Sequence, residues 1–214
     1  MVAVKICGVT RLEDLRACAE LGVDAVGFNL WTGSKRFVDL REAEVMLDAA
    51  ALGEGGPLRV GVFVDYDLEA IAEAIAILDL DLIQAHGDGP LEPIAELAAR
   101  YDIGWVQVIR GTPSLASVHT PELRPAWILL DAAVPGFGGA GQRTDWAWAA
   151  EAVSALAPTP VWLAGGINPS NVEAALREVG PAGIDVASGV EQLGAQRGEK
   201  QRDAIAALVG ACRR

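Results

Sequence analysis

Along the whole chain, short β-rich runs alternate with Ala/Leu/Glu-rich stretches of helical pattern, and this alternation constrains the fold more than any other feature. The strand-like runs are 2–7, 25–30, 59–64, 82–85, 105–109, 127–131, 161–164 and 183–187. The helical stretches are 12–21, 40–50, 68–78, 91–100, 145–156, 169–179 and 200–209. Residues 113–119 give little more than one turn of helical pattern, so an eighth helix stays open. Strands separated by helices pair in parallel, because a parallel neighbour is reached by a crossover and not by a tight turn.

Eight units in 214 residues leave about 27 residues for each, near the minimum for a βα unit. Little remains for a second domain. The chain therefore reads as α/β: one compact (β/α)8 TIM barrel spanning residues 1–214, smaller than the usual barrel of about 250 residues. A doubly wound open sheet is the competing architecture.

Composition narrows the function. Hydrophobic residues make up 51% of the chain, which excludes a disordered protein. Seventeen basic against 29 acidic residues give a formal charge of −12. That balance argues against nucleic-acid binding and against docking on anionic membranes. No apolar run approaches the roughly 18–20 residues of a membrane span, and no basic segment followed by a long apolar one suggests a signal peptide. Three widely spaced cysteines (Cys7, Cys18, Cys212) and two histidines (His86, His119) form no metal-binding pattern, so neither a disulfide nor a metal is expected. A reduced cytoplasm is the expected compartment.

A barrel builds its site at the C-terminal ends of its strands. Strand alternation then picks out polar residues on one face: Lys5 with Cys7, Gln84 with His86, Asp131 ending the run Trp127-Ile128-Leu129-Leu130, and Asp185 within the last strand. Cys7 and Asp131 form a candidate base and acid. That role requires the thiol pKa to fall toward neutrality, helped by Lys5, and the carboxyl pKa to rise. Taken singly, Cys7 reads as a small core residue, and Asp131 reads equally as a loop cap or as an acid. Cys18 and Cys212 lie in helical stretches and read as structural.

Two glycine-rich turns, Leu163-Ala164-Gly165-Gly166-Ile167-Asn168-Pro169 and Ile184-Asp185-Val186-Ala187-Ser188-Gly189-Val190-Glu191, follow the last two strands. One such turn alone reads as a tight connection. Two in adjacent units read as a phosphate cradle, because their N–H groups can approach an anion closely. Gly33-Ser34-Lys35-Arg36-Phe37 on its own reads as a solvated basic loop, and beside the other segments as an anion clamp through Arg36. His86 reads equally as a binding residue or as a satisfied imidazole. The stretch from Asp131 to Gly141 reads as a mobile flap. Its formal GxGxxG at 136–141 is set aside, because that fingerprint turns directly from strand to helix.

Together these segments resemble the phosphoribosylanthranilate isomerase family. The resemblance rests on Lys5-Ile6-Cys7-Gly8-Val9-Thr10, Ser34-Lys35-Arg36-Phe37-Val38, Gln84-Ala85-His86-Gly87, Leu129-Leu130-Asp131, Pro135-Gly136-Phe137-Gly138-Gly139, Ala164-Gly165-Gly166-Ile167-Asn168 and Asp185-Val186-Ala187-Ser188-Gly189-Val190-Glu191. It covers nearly the whole chain, in the family's order. It implies a cofactor-free, metal-free Amadori rearrangement of a small phosphorylated substrate. It also implies roles: Asp131 as general acid, Cys7 as general base, Arg36 on the anthranilate carboxylate, and Gly165, Gly166, Ser188 and Gly189 on the phosphate. Lys5, His86, Asn168 and Asp185 join the expected substrate-binding set, Asp185 toward a ribose hydroxyl. A monomer or homodimer is expected. The run Arg197-Gly198-Glu199-Lys200 departs from the family's usual pattern, which leaves Lys200 without an assigned role. Two rival classes are another sugar-phosphate isomerase or epimerase and a non-catalytic phosphoribosyl binder. A nucleotide-dependent dehydrogenase is a third.

Overall fold

A computed structural model describes residues 1–214 apart from Glu54, Asp65, Tyr66, His119, Thr120, 134–142 and Ala195. Eight strands run in order: β1 (Ala3–Cys7), β2 (Ala25–Asn29), β3 (Leu58–Phe63), β4 (Leu82–Ala85), β5 (Gly104–Arg110), β6 (Trp127–Asp131), β7 (Val161–Leu163) and β8 (Gly183–Val186). Each pairs in parallel with the next, and β8 pairs back onto β1 to close the barrel. Between and after them lie α1 (Leu12–Glu20), α2 (Leu40–Ala50), α3 (Leu68–Leu78), α4 (Glu92–Arg100), α5 (Leu115–Val118), α6 (Trp146–Ala155), α7 (Val172–Val179) and α8 (Arg202–Arg213).

Strand alternation divides the core in two. Ala25, Val60, Leu82, Val106, Trp127, Leu129, Trp162 and Ala164 share one parity and form the barrel's own filling. Near the N-terminal ends of their strands, the Trp127 and Trp162 indoles stack at 4.4 Å between centroids. Residues of the other parity, such as Val4, Ile6, Val26, Ile83, Leu130 and Ile184, pack outward against the helices. Each fully buried aliphatic side chain contributes about 1.5–3 kcal/mol. One slip in register would exchange the two sets, so the pattern fixes which polar side chains point inward.

Several helices begin where a short acidic side chain caps them. Asp39 accepts from Arg41 N at 2.9 Å, Asp67 from Glu69 N at 3.1 Å, and Asp145 from Trp148 N at 3.1 Å. Three helices show where the sequence reading and the structure part. The weak fifth helix is a single turn, Leu115–Val118, followed by a 3-10 turn at Pro121–Leu123. The seventh starts at Val172, because Asn168 and Asn171 bond the local backbone and hold 168–171 as a turn. The last starts at Arg202, because Lys200 is drawn into an antiparallel bridge with Glu191. Among the described residues, no helix is long and apolar enough to cross a membrane.

Candidate active site

The polar residues picked out by alternation gather at the C-terminal end of the barrel, above the apolar filling. Lys5 of β1 stands in register with Asp185 of β8, and its Nζ lies 2.8 Å from Asp185 Oδ2. Lys5 is 1% exposed. Burial alone would lower its pKa, but Asp185 and Cys7 outweigh that and leave it above the ordinary lysine value. Lys5 therefore sits one inward position below Cys7 with its charge already met. It is not a free cation at the mouth.

Cys7 ends β1 on the same face, hydrogen-bonded to Lys5. The acid–base reading asked for a lowered thiol pKa, and the structure corrects this. Burial raises it; Lys5 and Lys200 pull it down, Asp185 pushes it up, and the balance lies above the ordinary cysteine value. Cys18 and Cys212 are buried in α1 and α8, their thiols pushed up to about 12 and about 11 chiefly by burial, which fits inert packing residues.

Asp131 ends β6 and behaves as the sequence asked. Burial lifts its pKa to about 6, against a hydrogen bond from Ala132 N at 2.8 Å that favours the ionised form. The imidazole of His86 approaches it, with Nε2 3.6 Å from Asp131 Oδ2. Burial, Arg110 and Lys5 lower the His86 pKa to about 4, so the ring is neutral near pH 7 and the two do not form an ion pair. The Gln84 amide nitrogen lies 3.4 Å from His86 Nδ1; donating there leaves the ring proton on Nε2, facing Asp131. Gln84 Oε1, His86 Nε2 and Asp185 Oδ1 are buried with no hydrogen-bond partner among the described residues. Three such atoms at one end of a barrel mark a surface built for a polar ligand.

The two glycine-rich turns meet, as a shared cradle requires. A side chain at Gly189 would place its Cβ 1.9 Å from the Ile167 carbonyl oxygen, so only glycine lets the turn Ser188–Val190 lie against the turn after β7. Gly165 and Gly166 both take positive φ, 81° and 68°. The Asn168 side chain is spent locally, accepting from Ser170 N and Oγ, so it shapes this turn.

Arg36 is nearly buried and reaches the same rim, where its Nε bonds Glu191 Oε1 at 2.5 Å. Lys35 bonds the other Glu191 oxygen at 2.9 Å. Burial would raise the Glu191 pKa, but Arg36, Lys200 and Lys35 hold it at about 2. The flap expected from Asp131 to Gly141 lies outside the described residues from 134 onward, as does His119. Among the described residues, no cluster of three or more His, Cys, Asp or Glu side chains is placed to hold a metal.

Three participants escaped the sequence reading. Arg110 ends β5 on the inward face, in register with Asp131 and paired with Asp88. Its parity with Val106 and Val108 is the same alternation signal that found Asp131, so it was within reach. Glu191 and Lys200 carried no comparable mark, because their partners lie far away in sequence.

Comparison with known proteins bears on this arrangement. Residues 4–209 match the family model described as N-(5'phosphoribosyl)anthranilate (PRA) isomerase. A Myxococcus xanthus protein named N-(5'-phosphoribosyl)anthranilate isomerase is 38% identical, with 99% of this chain and 96% of that one covered. The crystal structure of phosphoribosyl anthranilate isomerase from Thermotoga maritima superposes with a TM-score of 0.85 at 33% identity, covering 100% of this chain and 99% of that one. A solved phosphoribosyl anthranilate isomerase in complex with reduced 1-(o-carboxyphenylamino)-1-deoxyribulose 5-phosphate gives 0.82 at 31% identity, with 100% and 99% covered.

Proposed function

The chain belongs to the N-(5'-phosphoribosyl)anthranilate isomerase family, and from that premise we propose that Cys7 and Asp131 divide the acid–base work of its reaction. The enzyme converts N-(5-phosphoribosyl)anthranilate to 1-(2-carboxyphenylamino)-1-deoxyribulose 5-phosphate, a step of tryptophan biosynthesis. Asp131 gives its proton to the ribose ring oxygen; the C1′–O bond breaks and a protonated Schiff base forms. Cys7 as thiolate takes the proton from C2′, leaving an enolamine. Tautomerisation then gives the ketone. Protons move and no net redox exchange with a second molecule occurs, so the scheme asks for no cofactor or metal.

The observation that carries this division is the contrast between the two surroundings. Asp131 lies in a desolvated pocket that keeps its proton until about pH 6, while Cys7, although raised by burial and by Asp185, has Lys5 and Lys200 beside it to favour its thiolate. Arg36 holds the anthranilate carboxylate, and the backbone around Gly165, Gly166, Ser188 and Gly189 receives the phosphate. Lys5 acts through Cys7, and Asp185 offers its unpartnered oxygen to a ribose hydroxyl. His86 presents Nε2 beside Asp131 at the substrate's edge. Asn168 supports the phosphate turn from within. We assign this work to the cytoplasm, in a single domain acting as monomer or homodimer, with a small phosphorylated molecule and no nucleic acid or membrane as partner.

The test is turnover with phosphoribosylanthranilate generated in place, beside other phosphosugars. Conversion of the former alone is the expected result; none, in folded protein, removes the reading. Titration with NADH should give no fluorescence change, which separates it from a dehydrogenase.

The pH profile follows from the two pKa values. The productive form has Asp131 protonated and Cys7 ionised, although Asp131 titrates at about 6 and Cys7 above its ordinary value. Below about pH 6 the productive fraction grows with pH as thiolate forms. Between the two pKa values it is constant, since gain of thiolate is matched by loss of carboxylic acid. Above the thiol pKa it falls. kcat/KM should therefore rise to about pH 6, run level, and decline only in the alkaline range. A steep fall starting near pH 6 would show that no thiolate is needed.

A further inference from the structure

The segment after β8 that carries Arg197 and Lys200 crosses the rim of the site. The Arg197 carbonyl accepts from Thr10 Oγ1 at 3.1 Å in the turn after β1, and Arg197 donates to the Phe37 carbonyl at 3.3 Å in the turn after β2. Backbone bonds Gln192 N to Glu199 O (2.8 Å) and Gln201 N to Val190 O (2.7 Å) join the same segment to the turn after β8. One short strap thus ties three of the loops that form the site.

Two features show what the strap holds. The stem of Arg36 runs through a slot between Gly8 and Gly198. A Cβ at Gly8 would lie 2.4 Å from Arg36 Cδ, and one at Gly198 would lie 2.9 Å from Arg36 Cγ. Next, the Lys200 side chain has 0% exposure. Its ammonium donates to the Cys7 carbonyl at 2.8 Å, the Ala187 carbonyl at 3.2 Å and Glu191 Oε1 at 3.3 Å. A charge so buried is costly unless its donors are satisfied, and here all three partners belong to the site or to its rim.

We propose that Lys200 and Glu191 are positioning residues: Lys200 fixes the end of β1 and lends positive charge to the Cys7 thiolate, and Glu191 holds Arg36 at the angle that receives the substrate carboxylate. This rests on the reading of Cys7 as base. The groups facing the thiol are Lys5 on its own strand, Asp185 on β8 and Lys200 on the strap. Removing the Lys200 charge therefore leaves one fewer cation beside the thiolate, and ionisation becomes harder.

The experiment follows alkylation of Cys7 by iodoacetamide against pH, read on the Cys7 peptide by mass spectrometry. Cys18 and Cys212, both buried, serve as internal references. Lys200→Met should move the alkylation midpoint upward by about one pH unit, as expected for loss of one nearby opposite charge. It should also lower kcat about tenfold or more with little change in KM, a small displacement at the reacting group being enough for that. Glu191→Gln should instead raise KM about tenfold and leave kcat within about threefold. An unmoved midpoint in Lys200→Met with kcat within twofold overturns the role of Lys200. A KM within twofold in Glu191→Gln overturns that of Glu191, and if Lys200→Met does not fold, Lys200→Gln, which keeps a hydrogen-bond donor, carries the test of Lys200 with the same two readouts. Cys7→Ala separates the premise: full turnover there refutes Cys7 as base, while the alkylation midpoint in Lys200→Met still reports on Lys200.

Discussion

Replacing Cys7 by Ala should lower kcat by at least about a hundredfold, and Asp131→Asn should do the same, the lower end of what a positioned acid or base contributes. Both side chains are small and sit at strand ends, so the barrel should fold unchanged. Neither removes a proposed phosphate or carboxylate contact. Affinity for a reduced product analogue should therefore stay within a few fold of the parent. The two effects should not multiply in the double variant, because acid and base serve one sequence of proton transfers. A loss below about tenfold in either folded variant sinks the assignment of that residue. Loss of analogue binding in step with turnover would point to a merely structural effect. Retained binding in a parent that shows no turnover would favour the non-catalytic binder.

The second large effect concerns stability. Lys5 and Asp185 form an ion pair 2.8 Å apart with side chains 1% and 5% exposed. Asp185→Ala leaves the buried Lys5 ammonium without its ion-pair partner, with Cys7 beside it and Asp131 as the remaining acidic group that acts on it. Breaking a buried pair from one side costs about 3–5 kcal/mol, mainly because the remaining charge stays desolvated. For a domain of this size that is a fall in Tm of roughly 6–20 °C. Replacing both partners, Lys5→Met with Asp185→Leu, should recover most of the loss, because no uncompensated charge then remains. Thermal unfolding of the two single variants and the double variant measures this. A single variant within about 1 kcal/mol of the parent would show that the pair is hydrated or that Cys7 alone satisfies Lys5.

A protein of charge −12 is proposed to bind a dianionic-to-trianionic substrate, and the Lys5–Asp185 pair does not supply the positive charge this needs. Sequence alone suggests Lys5 and Arg36 as positive charge at the mouth. In the structure Lys5 is matched by Asp185, and Arg36 by Glu191. At the rim, however, Lys35, Arg36 and Lys200 gather around the single carboxylate of Glu191. Among the described residues, these three basic side chains share that one carboxylate, whereas in the whole chain acidic residues outnumber basic ones. A field set within a few ångströms is little affected by distant acidic side chains screened by solvent.

Most of the architecture was legible because it depends on local rules. Alternating runs of strand and helix pattern imply parallel pairing, and eight units imply closure. The period of two along each strand placed Cys7, Asp131, Asp185 and His86 on the inward face, where they stand. The meeting of the two glycine turns was legible as well, since adjacent strands carry them. The helix starts at 169 and 200 were misplaced. There side chains of Asn168 and Asn171, and the bridge between Glu191 and Lys200, compete with helix formation in ways that periodicity does not register.

By itself, then, the sequence determined the order of elements, the closed barrel and the parity that sends each polar side chain inward, since all of these follow from backbone geometry repeated along the chain. Only the tertiary structure decided the charge states. Lys5 finds Asp185 across 180 positions, and Lys200 finds the Cys7 carbonyl across 193. Burial, summed over neighbours from every strand, raises the Cys7 thiol where the motif alone asked for a fall. Electrostatic energies depend on distance and desolvation in space, and neither is written in spacing along the chain.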